Sequence, residues 1–207
     1  MKPWLFDILA CPIDKHFPLK LFIFSFETEL SEFKKFLDIY EKRNIVDINN
    51  EGIIEISTDD KTSYIKDNII IEKSTAKKYL KLIIESIDEL ANIYDKTSNI
   101  IAKECFHLII NDFKVKILNF SEDLNIEKID EIIPELFLLN KIKTEIEIES
   151  GLLFCDKCHR WFPIIDTIPQ MLPDEYRDQE KDANFLETNK NLLDQKFLKQ
   201  DLKPFNI

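Results

Sequence analysis

Apolar and polar positions change period several times along the chain, and each change marks an element. Residues 4–10 are apolar except for Asp7, and Trp4, Leu5 and Ile8 fit one face of a short helical turn leading into Cys11-Pro12. Pro18 to Phe26 alternate and are rich in Phe and Ile, which predicts a strand with Leu19, Leu21 and Ile23 on one face. The period then lengthens. Phe33, Phe36, Leu37 and Tyr40 predict a helix over Ser31–Lys42, and Asn49-Asn50-Glu51-Gly52 is a turn signal. Ile53–Ile56 and Ile69–Ile71 are too short for periodicity to separate strand from helix.

The clearest helix follows a cap at Ser74 or Thr75, with Leu80, Ile83, Ile84, Ile87, Leu90, Ala91 and Tyr94 at helical steps. A second helix is expected from about Asn99 to Lys116, and a third from about Ile126 to Lys141, which Pro134 should kink or split. Ile146 and Ile148 alternate with glutamates as in a half-buried strand, and Gly151 reads as a turn. Leu152–Cys155 and Arg160–Ile165 predict two strands joined by Cys155-Asp156-Lys157-Cys158. The prolines of Ile168-Pro169-Gln170-Met171-Leu172-Pro173 hold that stretch extended. Beyond Asp174 the chain is highly charged. Phe185, Leu186, Leu192, Leu193, Phe197 and Leu198 sketch a weak amphipathic helix that docks or frays.

This pattern predicts an α+β chain. Residues 1–26 and 144–175 form one discontinuous β domain, residues 27–143 a mainly helical insert, and residues 176–207 a charged tail. Composition agrees: 44% of the 207 residues are hydrophobic and 32% charged, as in a globular protein. The net charge of −11 makes unaided binding to a phosphate backbone a poor expectation. Only Gly52 and Gly151 are glycine, which argues against a phosphate-cradling loop and so against a nucleotide- or S-adenosylmethionine-using enzyme.

Four cysteines are too few for a disulfide scaffold, and no apolar run reaches the ~20 residues of a membrane span. Leu9-Ala10-Cys11 superficially resembles a lipoprotein cleavage box, but the preceding run is short and holds Pro3 and Asp7. A cytoplasmic location is expected.

The chemistry concentrates in the cysteines. Cys155 and Cys158 have the spacing of a zinc half-site on a tight turn. Cys11, before a proline-led turn, supplies a second half. Its partner is His16, the commoner companion of thiolates, or alternatively Asp14, three residues on. His159 is adjacent to Cys158 and would strain a tetrahedral site. Cys105 reads as a buried core thiol and His107 as a helix-surface residue. No Ser-His-Asp set or carboxylate pair stands out.

Three separated pieces, Met1–Pro12, Gly151–Ile164 and Ile168–Pro173, resemble in order the Trm112-like family, most closely its archaeal members. The family pattern is a hydrophobic-x-C-P start, a C-x-x-C-x-R-x-(Y/F)-P-I knuckle and an I-P-x-(M/L)-L segment. Some members carry a second thiol after the first cysteine, where this chain has Asp14 or His16.

The resemblance implies a small zinc-ribbon-like domain and a non-catalytic subunit. Such subunits form heterodimers with class I S-adenosylmethionine-dependent methyltransferases that modify tRNA, rRNA or a translation release factor. They lie edge to edge against the catalytic subunit's sheet, and RNA is met only through the partner. Trp4, Leu5, Phe6, Ile164, Ile165, Ile168, Pro169, Met171 and Leu172 are the expected partner surface. A stand-alone zinc ribbon that binds nucleic acid or acts as an adaptor, and a thiol-redox protein, are the rival readings.

Overall fold

The computed structural model describes residues 1–59 and 62–206. In chain order the strands are β1 (Lys20–Phe26), β2 (Glu55–Asp59), β3 (Thr62–Lys66), β4 (Ser74–Thr75), β5 (Ile93–Asp95), β6 (Ile148–Phe154), β7 (Trp161–Ile165) and β8 (Ile168–Pro169). The α-helices are α1 (Pro3–Phe6), α2 (Leu30–Lys42), α3 (Ile45–Asn50), α4 (Ala76–Leu90), α5 (Ile100–His107), α6 (Lys114–Glu122), α7 (Ile133–Thr144), α8 (Gln179–Asn189) and α9 (Gln195–Leu198). The chain is thus α+β. It divides into two units: Met1–Glu27, Asn92–Ser98 and the chain from Glu147 onward form the first, and Thr28–Ala91 with Asn99–Ile146 the second.

The first unit is built on a five-stranded sheet of order β5-β1-β6-β7-β8. β1 and β6 run antiparallel, with Phe22 opposite Leu152 and Lys20 opposite Phe154. β6 and β7 follow as the expected knuckle hairpin, with Phe154 opposite Trp161. Gly151 lies within β6 rather than at a turn. A Cβ there would sit 2.6 Å from the Phe22 carbonyl oxygen, so the close approach of β1 requires glycine. β7 and β8 are joined by Asp166-Thr167, both at positive φ, the backbone of a tight primed hairpin turn.

β5 was not expected. Residues 92–98, placed inside the insert by the helical spacing of Tyr94, pair parallel with β1 and belong to the first unit. α4 ends at Leu90, and Tyr94 stacks on Phe22 at 5.1 Å between ring centroids.

The residues after Asp174 also take a defined place. Leu186 of α8, Leu193, Phe197 of α9 and Leu202 pack on Phe22, Phe24, Leu152, Phe154 and Trp161. The face of the sheet opposite Leu21, Ile23 and Leu153 is therefore an aromatic layer roofed by the tail. Each large apolar side chain buried there contributes about 1.5–3 kcal/mol. Arg177 clamps the roof: it lies 4.5 Å from the Trp161 ring, donates to the Trp161 carbonyl and pairs with Asp182 at 2.6 Å.

The second unit is mainly helical, with a small β2-β3-β4 sheet. α2 matches the predicted helix closely. The second predicted helix continues without a break as α5, a π-helical turn at Leu108–Phe113, and α6. The third predicted helix is split as expected: a 3-10 helix over Ile126–Glu131 precedes α7, and Pro134 sits in the first turn of α7, where its missing N–H costs nothing. α7 is buried from Ile133 through Lys143, so its polar residues need partners. Glu135 meets Arg43 and Lys116, Asn140 donates to Asp67, and Lys143 donates to Ser86. No helix among the described residues is long and apolar enough to cross a membrane.

Candidate metal centre

Cys11, Asp14, Cys155 and Cys158 converge in the first unit, with one potential ligand atom from each lying within 4.8 Å of the others. Cys11 Sγ is 3.7 Å from Cys158 Sγ, and Cys155 Sγ is 3.6 Å from Asp14 Oδ1. Zinc–sulfur bonds of 2.3 Å in a tetrahedron set sulfur–sulfur edges of about 3.8 Å. Three sulfurs and one carboxylate at this spacing fit a closed four-coordinate zinc site, and all four are groups that ligate zinc.

Two turns of the same construction produce the cluster. In the second, Cys155 N–H donates to the Arg160 carbonyl at 2.8 Å, His159 N–H donates to the Cys155 carbonyl at 2.9 Å, and His159 has φ +58°. In the first, Cys11 N–H donates to the His16 carbonyl at 2.9 Å, Lys15 N–H donates to the Cys11 carbonyl at 2.9 Å, and Lys15 has φ +58°. The N–H groups two and three residues after each leading cysteine point at its sulfur: Ile13 and Asp14 toward Cys11, Lys157 and Cys158 toward Cys155.

The superposed pattern makes Asp14 the counterpart of Cys158, and His16 the counterpart of Arg160. This corrects the preference for His16 as fourth ligand. His16 closes the turn with its main chain, and its own N–H donates to Asp14 Oδ1 at 3.0 Å. In both turns a candidate ligand stands three residues after the cysteine, and the usable signal is the equal spacing of 11/14 and 155/158 rather than the residue type. His159 lies against Phe154 with ring centroids 6.1 Å apart and is not a member of the cluster. Cys105 is fully buried in the second unit, where desolvation pushes its thiol up to about 12, as suits a core thiol.

Burial and the turn N–H groups set the protonation of the cluster. Desolvation raises the Cys11 thiol and pushes that of Cys155 up to about 12, against the lowering effect of the N–H groups at their sulfurs. Without a cation these thiols stay protonated, and a bound metal would deprotonate them. Desolvation also works to raise Asp14, but the His16 N–H, the Cys11 and Cys155 thiols and the Lys157 charge together hold it below its usual range. Outside the cluster, Arg160 hydrogen-bonds Cys158 and forks onto Asp174 at 2.8–3.1 Å, and both raise its pKa. A divalent ion with three thiolates and a carboxylate carries net negative charge, which Arg160 offsets.

The expected partner-surface residues divide in two. Trp4, Ile165, Ile168 and Leu172 are exposed, and Leu5, Pro169 and Met171 are half-buried. Phe6 and Ile164 are not on the surface: they are 1% and 0% exposed and belong to the core. Phe6 lies one helical turn from buried Pro3, and Ile164 alternates with outward Ile165 on β7.

No curated protein and no solved structure matches the chain. A family model does, and its pattern begins before the first turn and runs through β7: described as Trm112p-like protein, it matches residues 2–166, and the chain belongs to the Trm112p-like family.

Proposed function

We propose that the chain is a non-catalytic subunit that stabilises and activates S-adenosylmethionine-dependent methyltransferases acting on tRNA, rRNA or a translation release factor. Family membership over residues 2–166 carries the reading. The apolar end of the sheet supports it. β8 is the terminal strand, and Ile165, Ile168 and Leu172 around it stand 38–59% exposed. Exposed aliphatic side chains on a terminal strand offer both backbone pairing and apolar area to a partner sheet.

In this reading the first unit is a zinc-ribbon-like domain that works in the cytoplasm as half of a heterodimer. Cys11, Asp14, Cys155 and Cys158 would hold the zinc, which would join the two ends of the domain's chain. The partner would gain stability because the subunit binds its folded form. RNA would be reached through the catalytic subunit, in keeping with the net charge of −11. The redox rival loses support from the raised Cys11 and Cys155 thiols, since reactive dithiols depend on a lowered pKa.

The test is purification of the tagged chain from native extract, followed by methyl-transfer assays on the co-purifying enzymes with and without added chain. A methyltransferase that co-purifies and is stimulated is expected. Recovery of none, or stimulation of none, would sink the reading.

A further inference from the structure

β7 has an uneven outer edge. Its C-terminal half pairs with β8 through Ile164 and Ile165. At its N-terminal end, beside the candidate metal cluster, the neighbour is instead the segment Leu202–Phe205. Lys203 N–H donates to the His159 carbonyl at 2.9 Å, and Trp161 N–H donates to the Lys203 carbonyl at 3.0 Å, forming a parallel bridge between Arg160 and Lys203. The Trp161 indole N–H donates to the Phe205 carbonyl at 3.0 Å. Leu202, 2% exposed, inserts into the aromatic layer with Phe154 and Trp161.

This is strand addition in miniature, with backbone pairing at a sheet edge and one aliphatic anchor in a pocket. The receiving edge lies inside the stretch that matches the family, whereas every residue occupying it lies beyond residue 166. The occupant is held as a short extended segment rather than as a full strand. Among the described residues, Leu202 in the aromatic layer and the three hydrogen bonds of Lys203 and Phe205 to β7 are set against the entropy of ordering an extended segment.

We propose that the His159–Trp161 edge, with the aromatic layer beside it, is a docking surface for an extended apolar segment of the catalytic partner, and that Leu202–Phe205 fill it in the free chain. The proposal rests on the methyltransferase-subunit reading for the identity of the partner, but not for the existence of the surface. The incoming segment runs parallel to β7, places a leucine-sized side chain against Phe154 and Trp161, and offers a carbonyl to the Trp161 indole. Binding therefore exchanges one strand for another instead of exposing a bare edge, which keeps the free subunit from self-pairing.

Two arms test this on the full chain. In the first, Leu202→Asp is mixed with a synthetic peptide of residues 198–206. Amide exchange at Trp161 is expected to quicken about 10-fold or more in the variant and to slow again on addition of the peptide. Leu202→Ala serves the same purpose should the aspartate variant fail to fold. A peptide that restores no protection overturns the surface.

In the second arm, exchange is measured on the wild-type chain with and without the co-purifying methyltransferase. Lys203 is expected to lose protection in the complex while Trp161 keeps it. Lys203 protection unchanged in a formed complex overturns the exchange. If no methyltransferase binds, the functional reading fails, and the peptide arm still decides whether the edge accepts a strand.

Discussion

The two turns that build the metal cluster are near copies in backbone and unlike in chemistry. Each starts with a cysteine whose N–H bonds the carbonyl five residues on, and each has a non-glycine residue at φ +58° in its fourth step. The C-terminal turn delivers two sulfurs, and the N-terminal turn one sulfur and the Asp14 carboxylate. Backbone geometry fixes where a candidate ligand is presented, and the residue at that point would set how tightly and at what pH a metal could be held.

Replacing a thiol should break the centre most completely. Cys155→Ala is expected to weaken zinc by more than the ~10–100-fold typical of outer-shell changes, and to lower the melting temperature, read by metal analysis after dialysis and by thermal unfolding. The next largest effect separates the two turns. Asp14→Cys, which makes them chemically alike, should slow zinc loss to a chelator by about 10-fold, and Asp14→Ala should hasten it similarly. His16→Ala should leave the loss rate within about twofold, because only the His16 main chain serves the turn. Equal effects of the Asp14 and His16 variants would dissolve the equivalence of Asp14 with Cys158.

Proton release sharpens the comparison further. Cys11 and Cys155 are raised in the metal-free chain, so both are protonated near neutrality, whereas lowered Asp14 is already ionised. Zinc should therefore displace protons from both Cys11 and Cys155 at pH 7, one on each turn, and none from Asp14, measured by calorimetry in buffers of differing ionisation heat. The sign follows: affinity rises with pH until the thiols ionise unaided. The metal-free chain behaves oppositely. Its raised thiols contribute stability that is present below the unfolded thiol value of about 8.5 and is lost as the pH climbs toward about 12.

The smallest contrast concerns the fourth residue. Lys15→Gly should stabilise by about 0.5 kcal/mol, the left-handed penalty relieved less the added chain entropy. His159→Gly should gain less, because it gives up the stack on Phe154, and chemical denaturation would resolve the difference.

Sequence pattern reaches Cys11, Cys155 and Cys158 of the candidate metal cluster, and most helices, because each rests on local spacing. α2 and α4 repeat every 3.6 residues, and C-x-x-C closes within one turn. What local spacing cannot show is long-range. Tyr94 continues the spacing of Leu90, so periodicity cannot reveal that the chain turns at Ala91 and pairs with β1. Leu186, Leu193, Phe197 and Leu202 share no period because they roof a flat aromatic layer from several short segments. Phe6 and Ile164 stand in apolar stretches that read as outward surface, whereas the alternation about Pro3 and Ile165 sends them inward. The choice between His16 and Asp14 turned on a residue-type preference, and backbone hydrogen bonding outranked it.

Cys11 and Cys158 lie 147 residues apart, and that separation sets an order of events during synthesis. Every residue of the second unit, and β5 as well, leaves the ribosome before Cys155 does. The helical unit can fold early on contacts of its own, whereas β1 and the N-terminal turn wait, with Phe22 and Phe24 uncovered, for β6, β7 and the roof. Closing so long a loop is slow, and a shared metal ion would trap the closed state once it is reached. The interval before that closure is when the nascent chain is most exposed to aggregation.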